Sequence, residues 1–190
     1  MKNITYQTDL CVVGGGMSGL CCAIAAARHG IKVVLVHDRP VLGGNASDEA
    51  NVTLEGAAHR GYHETGVVFE LKAYRHNHEK TWSEVFEAFC AQEKNLDVFS
   101  NTLLIDATTN SNRIREILTV NTLNLQKNRF SAPLFVDATG DGWLGYYAGA
   151  EYRQGSESKA ETGEIDAPEV GNNERMGNTI FFRARNMGHP

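Results

Sequence analysis

Asp9-Leu10-Cys11-Val12-Val13-Gly14-Gly15-Gly16-Met17-Ser18-Gly19-Leu20 decides the fold. An apolar run enters a glycine loop, and the loop enters a helical pattern. Gly14, Gly16 and Gly19 set the spacing G-x-G-x-x-G. Gly14 permits the tight turn out of a strand, Gly16 lets a pyrophosphate approach the backbone, and Gly19 lets helix and strand pack closely. The free amides and positive dipole end of the helix then face the phosphates. The spacing carries weight because it follows a strand-like run and opens a helix-like one. Gly14, Gly15, Gly16, Met17, Ser18 and Gly19 are therefore candidate cofactor-binding residues.

Leu20, Ala23, Ile24 and Ala27 recur at i, i+3, i+4 and i+7, one face of a helix. Gly30 suits the left-handed residue that ends it. Ile31-Lys32-Val33-Val34-Leu35-Val36 is nearly unbroken and β-branched, as expected of a parallel strand covered on both faces. Together these elements predict a βαβ dinucleotide-binding Rossmann unit; the alternative is a plain α/β unit with a glycine-rich turn. In such units an acidic residue about 20 positions past the loop holds the ribose hydroxyls. His37 and Asp38 stand at about that distance, Asp38 nineteen residues after Gly19, and successive side chains on an extended strand point to opposite sides.

The 190 residues suffice for one domain with a real core, burying roughly 70% of the unfolded surface. Formal net charge is −5, and seven acids against three bases fall between Glu151 and Arg175. The absence of a basic stripe argues against a nucleic-acid partner. Cys11, Cys21, Cys22 and Cys90 contain no C-x-x-C pair and read as reduced structural thiols of a cytoplasmic protein. The first residues show no signal-peptide pattern and no apolar run is long enough to span a bilayer, so no membrane partner is expected.

His37-Asp38-Arg39-Pro40-Val41-Leu42-Gly43-Gly44-Asn45-Ala46-Ser47 follows the second strand as a loop punctuated by Pro40 and the Gly43-Gly44 pair. With the first glycine loop, this stretch resembles FAD-dependent oxidoreductases of the glutathione-reductase-like flavoprotein superfamily. The resemblance is greatest to a bacterial group that runs from GGG-x-x-G to D-R-P-x-L-G-G-N-A-S. The resemblance implies FAD, with Gly43, Gly44, Asn45 and Ser47 lining its pyrophosphate and Arg39 and Ala46 as further cofactor-binding candidates. By register with flavoproteins that end the second strand in V-x-x-x-E, it makes His37 the expected side chain over the ribose, with Asp38 as the alternative. It also separates this chain from the disulfide reductases, because Asn45 to Ala50 contain no redox cysteine pair.

Val67, Leu71 and Tyr74 share one helix face. Thr81-Trp82-Ser83-Glu84 is a capping-box pattern, followed by Trp82, Val85, Phe86 and Phe89 at helical spacing, with Asn95 the expected end. His59 and His63 stand four apart beside Glu64, but Gly61 interrupts them and no third ligand is obvious, so no metal is expected. The resemblance makes His59, Arg60 and Glu64 candidate active-site lining.

From Leu96 the pattern turns to strands. Thr102 to Ala107 and Ile114 to Leu125 flank a turn-rich segment at 108–113, and Phe130, Ala132, Leu134 and Val136 alternate. This predicts an antiparallel meander inserted into the parallel sheet. The resemblance places the Leu103–Leu104 backbone near the adenine. Leu134-Phe135-Val136-Asp137-Ala138-Thr139-Gly140-Asp141-Gly142 then matches the superfamily's second FAD fingerprint, making Ala138, Thr139, Gly140 and Asp141 further candidates.

The expected fold class is α/β: a Rossmann-like FAD-binding domain with a central parallel sheet, helices and an inserted meander at about 102–132, spanning 1–150. Residues 151–178 read as a long polar loop, and Asn178 to Arg185 as one more strand entering a substrate region. Members of the resembling family are longer, so the chain is expected to be the N-terminal part of such an enzyme. The expected chemistry is hydride exchange between flavin and a small-molecule substrate. The rivals are an NAD-binding dehydrogenase and a truncated, non-catalytic dinucleotide-binding module.

Overall fold

The computed structural model describes residues 4–54, 63–177 and 185–188. The chain divides into two compact units, Met1–Gly149 and Ala150–Pro190.

In the first unit the glycine loop opens a helix as expected. Strand β1 (Ile4–Gln7) is followed by β2 (Leu10–Val13), helix α1 (Met17–Arg28) and β3 (Val33–Val36). Gly30 lies past the end of α1 with φ +83°, the left-handed conformation its position suggests. A short 3-10 turn covers Gly44–Ala46, then come α2 (Gly66–His78) and α3 (Trp82–Gln92). Strands β4 (Leu96–Phe99), β5 (Thr102–Asn110), β6 (Arg113–Asn121), β7 (Lys127–Ser131) and β8 (Leu134–Asp137) precede α4 (Trp143–Tyr147).

Among the described residues these strands form two four-stranded sheets. One is wholly parallel in the order β4-β3-β2-β8; the other runs β1-β7-β6-β5, with β5, β6 and β7 forming the antiparallel meander and β1 parallel to β7. Strand parity distributes the apolar residues of the parallel sheet. Leu10, Val12, Val33 and Leu35 face α1, α2 and α3, where they pack with Leu20, Ile24, Leu71 and Phe86. Cys11, Val13, Val34 and Val36 face the meander, with Leu104, Ile117 and Phe130. Both faces are covered, which explains why β2 and β3 read as continuous apolar runs rather than alternating ones. The layers are thus helix, parallel sheet and meander sheet.

Local chemistry sets several boundaries. The box at Thr81 is formed: the Glu84 amide donates to Thr81 Oγ1 at 3.3 Å and the Thr81 amide to Glu84 Oε2 at 2.8 Å. Helix α3 stops at Gln92, short of Asn95, whose side-chain amide instead donates to the Ala27 carbonyl near the end of α1 at 3.2 Å. The β5–β6 hairpin is tighter than the turn-rich segment suggests. Ser111 and Asn112 both adopt positive φ, +50° and +59°, a two-residue turn that lets the strands extend to Asn110 and Arg113. The alternation from Phe130 to Val136 belongs to two strands. Pro133, which has no amide for a ladder, stands between β7 in one sheet and β8 in the other. Arg28 joins the three helices from outside, its Nε 2.7 Å from Glu93 and its Nη1 2.9 Å from Glu70.

The second unit contains, among its described residues, one short helix, α5 (Lys159–Thr162), and a bridge between Ser156 and Asn172. The expected strand at 178–185 lies outside the described residues except for Arg185. Among the described residues no helix is long and apolar enough to cross a membrane.

Candidate functional site

Because β2, β3 and β8 are parallel, the loops that follow them emerge at one edge of the sheet. That edge, at the carboxyl ends of the strands, is where ligands bind in open α/β sheets. A cavity of about 880 Å³ lies there. It is lined by residues of the first glycine loop, the loop after β3, β5, and the loop after β8.

The first loop is shaped by backbone contact. The Gly14 amide donates to the Val36 carbonyl at 2.8 Å, and the Ala138 amide donates to the Val13 carbonyl at 2.7 Å. Gly14 has φ +109°, and a Cβ there would lie 2.1 Å from the Ala138 carbonyl oxygen. Gly16 differs: its φ is −68° and a Cβ would meet nothing within 4 Å. That open space belongs to the cavity. Helix α1 starts at Gly16 with no side-chain cap and no acid in its first turn. Its amides and positive dipole end are left to an anion from outside the helix.

The loop after β3 lies against the first one. The Gly43 amide donates to the Gly15 carbonyl at 2.8 Å, and Gly16 and Gly43 form a parallel bridge. Gly43 has φ +111° and sits against the Phe86 ring, where a Cβ would come within 2.2 Å of it. The loop is tied to α3 from below. The Asp48 amide donates to Ser83 Oγ at 3.1 Å, and the Ser83 amide returns a bond to Asp48 Oδ2 at 3.3 Å. Desolvation would raise the Asp48 carboxyl, but bonds from the Thr81 and Ser83 side chains and from the Ser83 and Trp82 amides outweigh it and hold the group below its ordinary value.

His37 and Asp38 occupy different environments. The His37 ring is 4% exposed. Its Nδ1 accepts the Gly15 amide at 3.0 Å, and its Nε2 lies 3.0 Å from the Val41 carbonyl oxygen. A carbonyl only accepts, so Nε2 carries the proton and Nδ1 is a bare acceptor. Burial holds the ring below the ordinary histidine value, in its neutral form. The Asp38 side chain is 53% exposed, and its Oδ1 lies 3.3 Å from His37 Nδ1. Both residues, with Arg39, border the cavity.

The loop after β8 is organised by Asp137. Its Oδ1 accepts the Thr139 amide at 3.1 Å and the Thr139 hydroxyl at 2.7 Å, and its Oδ2 accepts the Gly145 amide at 2.9 Å. Thr139 Oγ1 in turn accepts the Trp143 amide at 2.9 Å. Gly140 has φ +88° and, like Gly16, open space where a Cβ would stand.

The cofactor-binding candidates of the sequence motifs line this cavity except for Gly19 and Ser47. Gly19 instead touches the Gly14 carbonyl from inside α1. Ser47 is fully buried, and its hydroxyl accepts the Glu49 amide at 3.3 Å. Leu104 reaches the cavity from the meander. Trp143, Tyr147 and the 52–54 segment also line it, beyond the residues that the sequence motifs single out. The i, i+4 spacing of Trp143 and Tyr147 after a glycine loop is the signal that could have found two of them. His59 and Arg60 lie outside the described residues. Glu64 pairs with Lys72 at 2.9 Å, and among the described residues no His, Cys, Asp and Glu side chains group as a metal site.

The cavity volume is of the size that small-molecule and cofactor sites take. Gly16 and Gly140, each open on the cavity side, and the uncapped start of α1 suit a pyrophosphate between two half-cofactors. By these features the residues present fit FAD.

Comparison with known proteins agrees. A family model described as FAD dependent oxidoreductase matches residues 9–188. Glycerol-3-phosphate dehydrogenase of Mycobacterium leprae is 38% identical over 66 residues, 35% of this chain and 11% of the relative. The 6-methylpretetramide 4-monooxygenase of Streptomyces rimosus is 43% identical over 69 residues, 30% of this chain and 16% of the relative. Among solved structures, glycerol-3-phosphate dehydrogenase from Bacillus halodurans complexed with FAD superposes with a TM-score of 0.56 at 14% identity, covering 81% of this chain and 37% of that one. L-proline dehydrogenase from P. horikoshii gives a TM-score of 0.51 at 17% identity, covering 73% of this chain and 24% of that one. At these identities the structural likeness concerns the fold. The matched parts cover well under half the length of each of these proteins.

Proposed function

The chain belongs to the FAD dependent oxidoreductase family, and from that premise we propose that its cavity holds FAD for hydride exchange with a small-molecule substrate. One observation carries the reading: three segments distant in sequence, at 14–16, 43–44 and 138–140, meet backbone to backbone around a single cavity. A covalently continuous ligand with two phosphates near its middle suits that convergence.

In this reading the amides at the start of α1 bind the pyrophosphate, and Gly16 and Gly140, each with open space where a Cβ would stand, keep side chains out of its way. Leu103 and Leu104 border the adenine end. Asn45 and Asp141 face the cavity from the two later loops. FAD, when bound, supplies hydride acceptance and donation at flavin N5, while the protein supplies binding, orientation and field.

The test is reconstitution with FAD, followed by gel filtration and a visible absorption spectrum. Flavin bands that travel with the protein support the reading. A folded chain that takes up NAD and leaves FAD behind would replace it with the nicotinamide alternative. Turnover by a longer chain that includes this sequence distinguishes an enzyme from a non-catalytic binding module.

A further inference from the structure

His37 joins four segments of the chain. Its own amide donates to the Phe99 carbonyl at 2.9 Å, and its carbonyl accepts the Thr102 amide at 2.7 Å. These bonds fix its backbone between β4 and β5. Its ring then reaches Gly15 in one glycine loop and Val41 in the approach to the other. The contact with Gly15 is close: a Cβ at that position would lie 2.7 Å from His37 Cγ. Gly15 is held on its other side by the bond from the Gly43 amide to its carbonyl. Its peptide groups are therefore oriented by the imidazole on one side and by the second glycine loop on the other.

We propose that His37 is a positioning residue whose ring staples the two glycine loops into one pyrophosphate cradle, leaving Asp38 to meet the ribose. This rests on the FAD reading above. With one ring nitrogen accepting from Gly15 and the other donating to Val41, the imidazole has no in-plane site left for a ribose hydroxyl. Asp38 borders the same cavity, is half exposed, and offers two acceptor oxygens.

The staple has a consequence in acid. A second proton on Nδ1 turns the acceptor for Gly15 into a donor pointing at another donor. Asp38 Oδ1, 3.3 Å away, is placed to take that proton's hydrogen bond instead. Protonation thus releases the Gly15 amide and engages the carboxylate that would otherwise serve the ribose. The other charged groups acting on the ring are Arg39 and Glu49. Because burial lowers the proton affinity of the ring, the bound state is retained above the ordinary histidine range and lost as pH falls through the lowered folded value.

FAD affinity, measured by flavin fluorescence from about pH 8 to about pH 4.5, so that the window extends well below the ordinary histidine value, tests this with three variants. The native chain is expected to keep its affinity through the ordinary histidine range and to weaken below it, by at most about tenfold per pH unit for the one proton taken up. His37→Leu should bind about tenfold more weakly at the upper end. His37→Asn keeps an acceptor for Gly15; it should bind more tightly than the leucine variant and show no such pH dependence. Asp38→Asn should weaken binding already at the upper end. Native affinity in His37→Leu, or the native pH profile retained in His37→Asn, overturns the proposal. Should the leucine variant fail to fold, the asparagine profile decides. Amide exchange at Gly15 without FAD tests the staple separately: slow in the native chain and fast in His37→Leu. A folded native chain with a protected Gly15 that binds no FAD would sink the FAD reading, not the staple.

Discussion

Gly19 meets Gly14 backbone to side-chain position: a Cβ on Gly19 would lie 1.9 Å from the Gly14 carbonyl oxygen and 3.0 Å from Ala138 Cβ. Two effects oppose each other at Gly19→Ala. Alanine is the better helix former by about 1 kcal/mol. The overlap is with backbone, which cannot rotate away, so α1 must move off β2. The expected outcome is a net loss of about 1–3 kcal/mol, as for overpacked cores. The check is a urea midpoint that falls while the slope of the transition stays the same.

Gly16 is the counter-case in the same loop. Its φ is ordinary for any residue and a Cβ meets no atom within 4 Å. Gly16→Val should therefore fold with a melting temperature close to the native one. Its side chain would stand where a pyrophosphate must approach. Flavin content after reconstitution should fall by about tenfold or more, in line with a lost set of charge-assisted bonds. Normal flavin content in this variant would remove the loop from the cofactor site.

Asp137 should matter through the amides it collects. Its carboxylate accepts from the Thr139 amide, the Thr139 hydroxyl and the Gly145 amide. In Asp137→Ala the loop between β8 and α4 loses all three bonds. Hydrogen exchange at Thr139 and Gly145 should accelerate by about tenfold, while amides of β2 and β3 keep their protection. Uniform acceleration throughout the sheet would instead mark Asp137 as a support of the whole fold.

Residues whose constraint is local are legible in the sequence. Gly14, Gly19 and Gly30 are dictated by a turn, a close approach and a helix end, each visible within a few residues. The Thr81 box and the core face of α1 are likewise local. What stays hidden depends on distant partners. Strand β1 forms because Ile4 to Gln7 find Asn128 to Ser131, far along the chain. The bonds of His37 reach one loop 22 positions away and another four positions on, so neither its burial nor its ring contacts are visible in the sequence, where the flavoprotein register makes it a ribose ligand. Ser47 sits in a glycine-rich loop, yet the 3-10 turn at Gly44–Ala46 precedes it and it lies buried away from the cavity. In the polar segment, Ser158 and Glu161 form a second capping box at a legible spacing, within a stretch whose composition reads as loop.

Acid should loosen the second glycine loop through Asp48. Its carboxylate accepts the Ser83 amide while its own backbone amide donates to Ser83 Oγ, tying the loop to the start of α3. Desolvation would raise the carboxyl, but bonds from the Thr81 and Ser83 side chains and the Ser83 and Trp82 amides outweigh it and keep it below its ordinary value. The folded state therefore binds fewer protons at this site than the unfolded chain does. Its contribution is complete above the unfolded carboxylate value of about 3.9 and is lost as pH falls through the lower folded value. Asp48→Asn removes this titration while keeping a side-chain acceptor for the Ser83 amide. Stability measured by denaturant titration at successive pH values should fall less steeply below about pH 4 in the variant than in the native chain. The same variant should be modestly less stable near neutrality, because the hydrogen bonds to a charged acceptor are replaced by bonds to a neutral one. Parallel acid profiles for the two proteins would mean that other carboxylates set the acid limb and that the Asp48–Ser83 exchange contributes little to it.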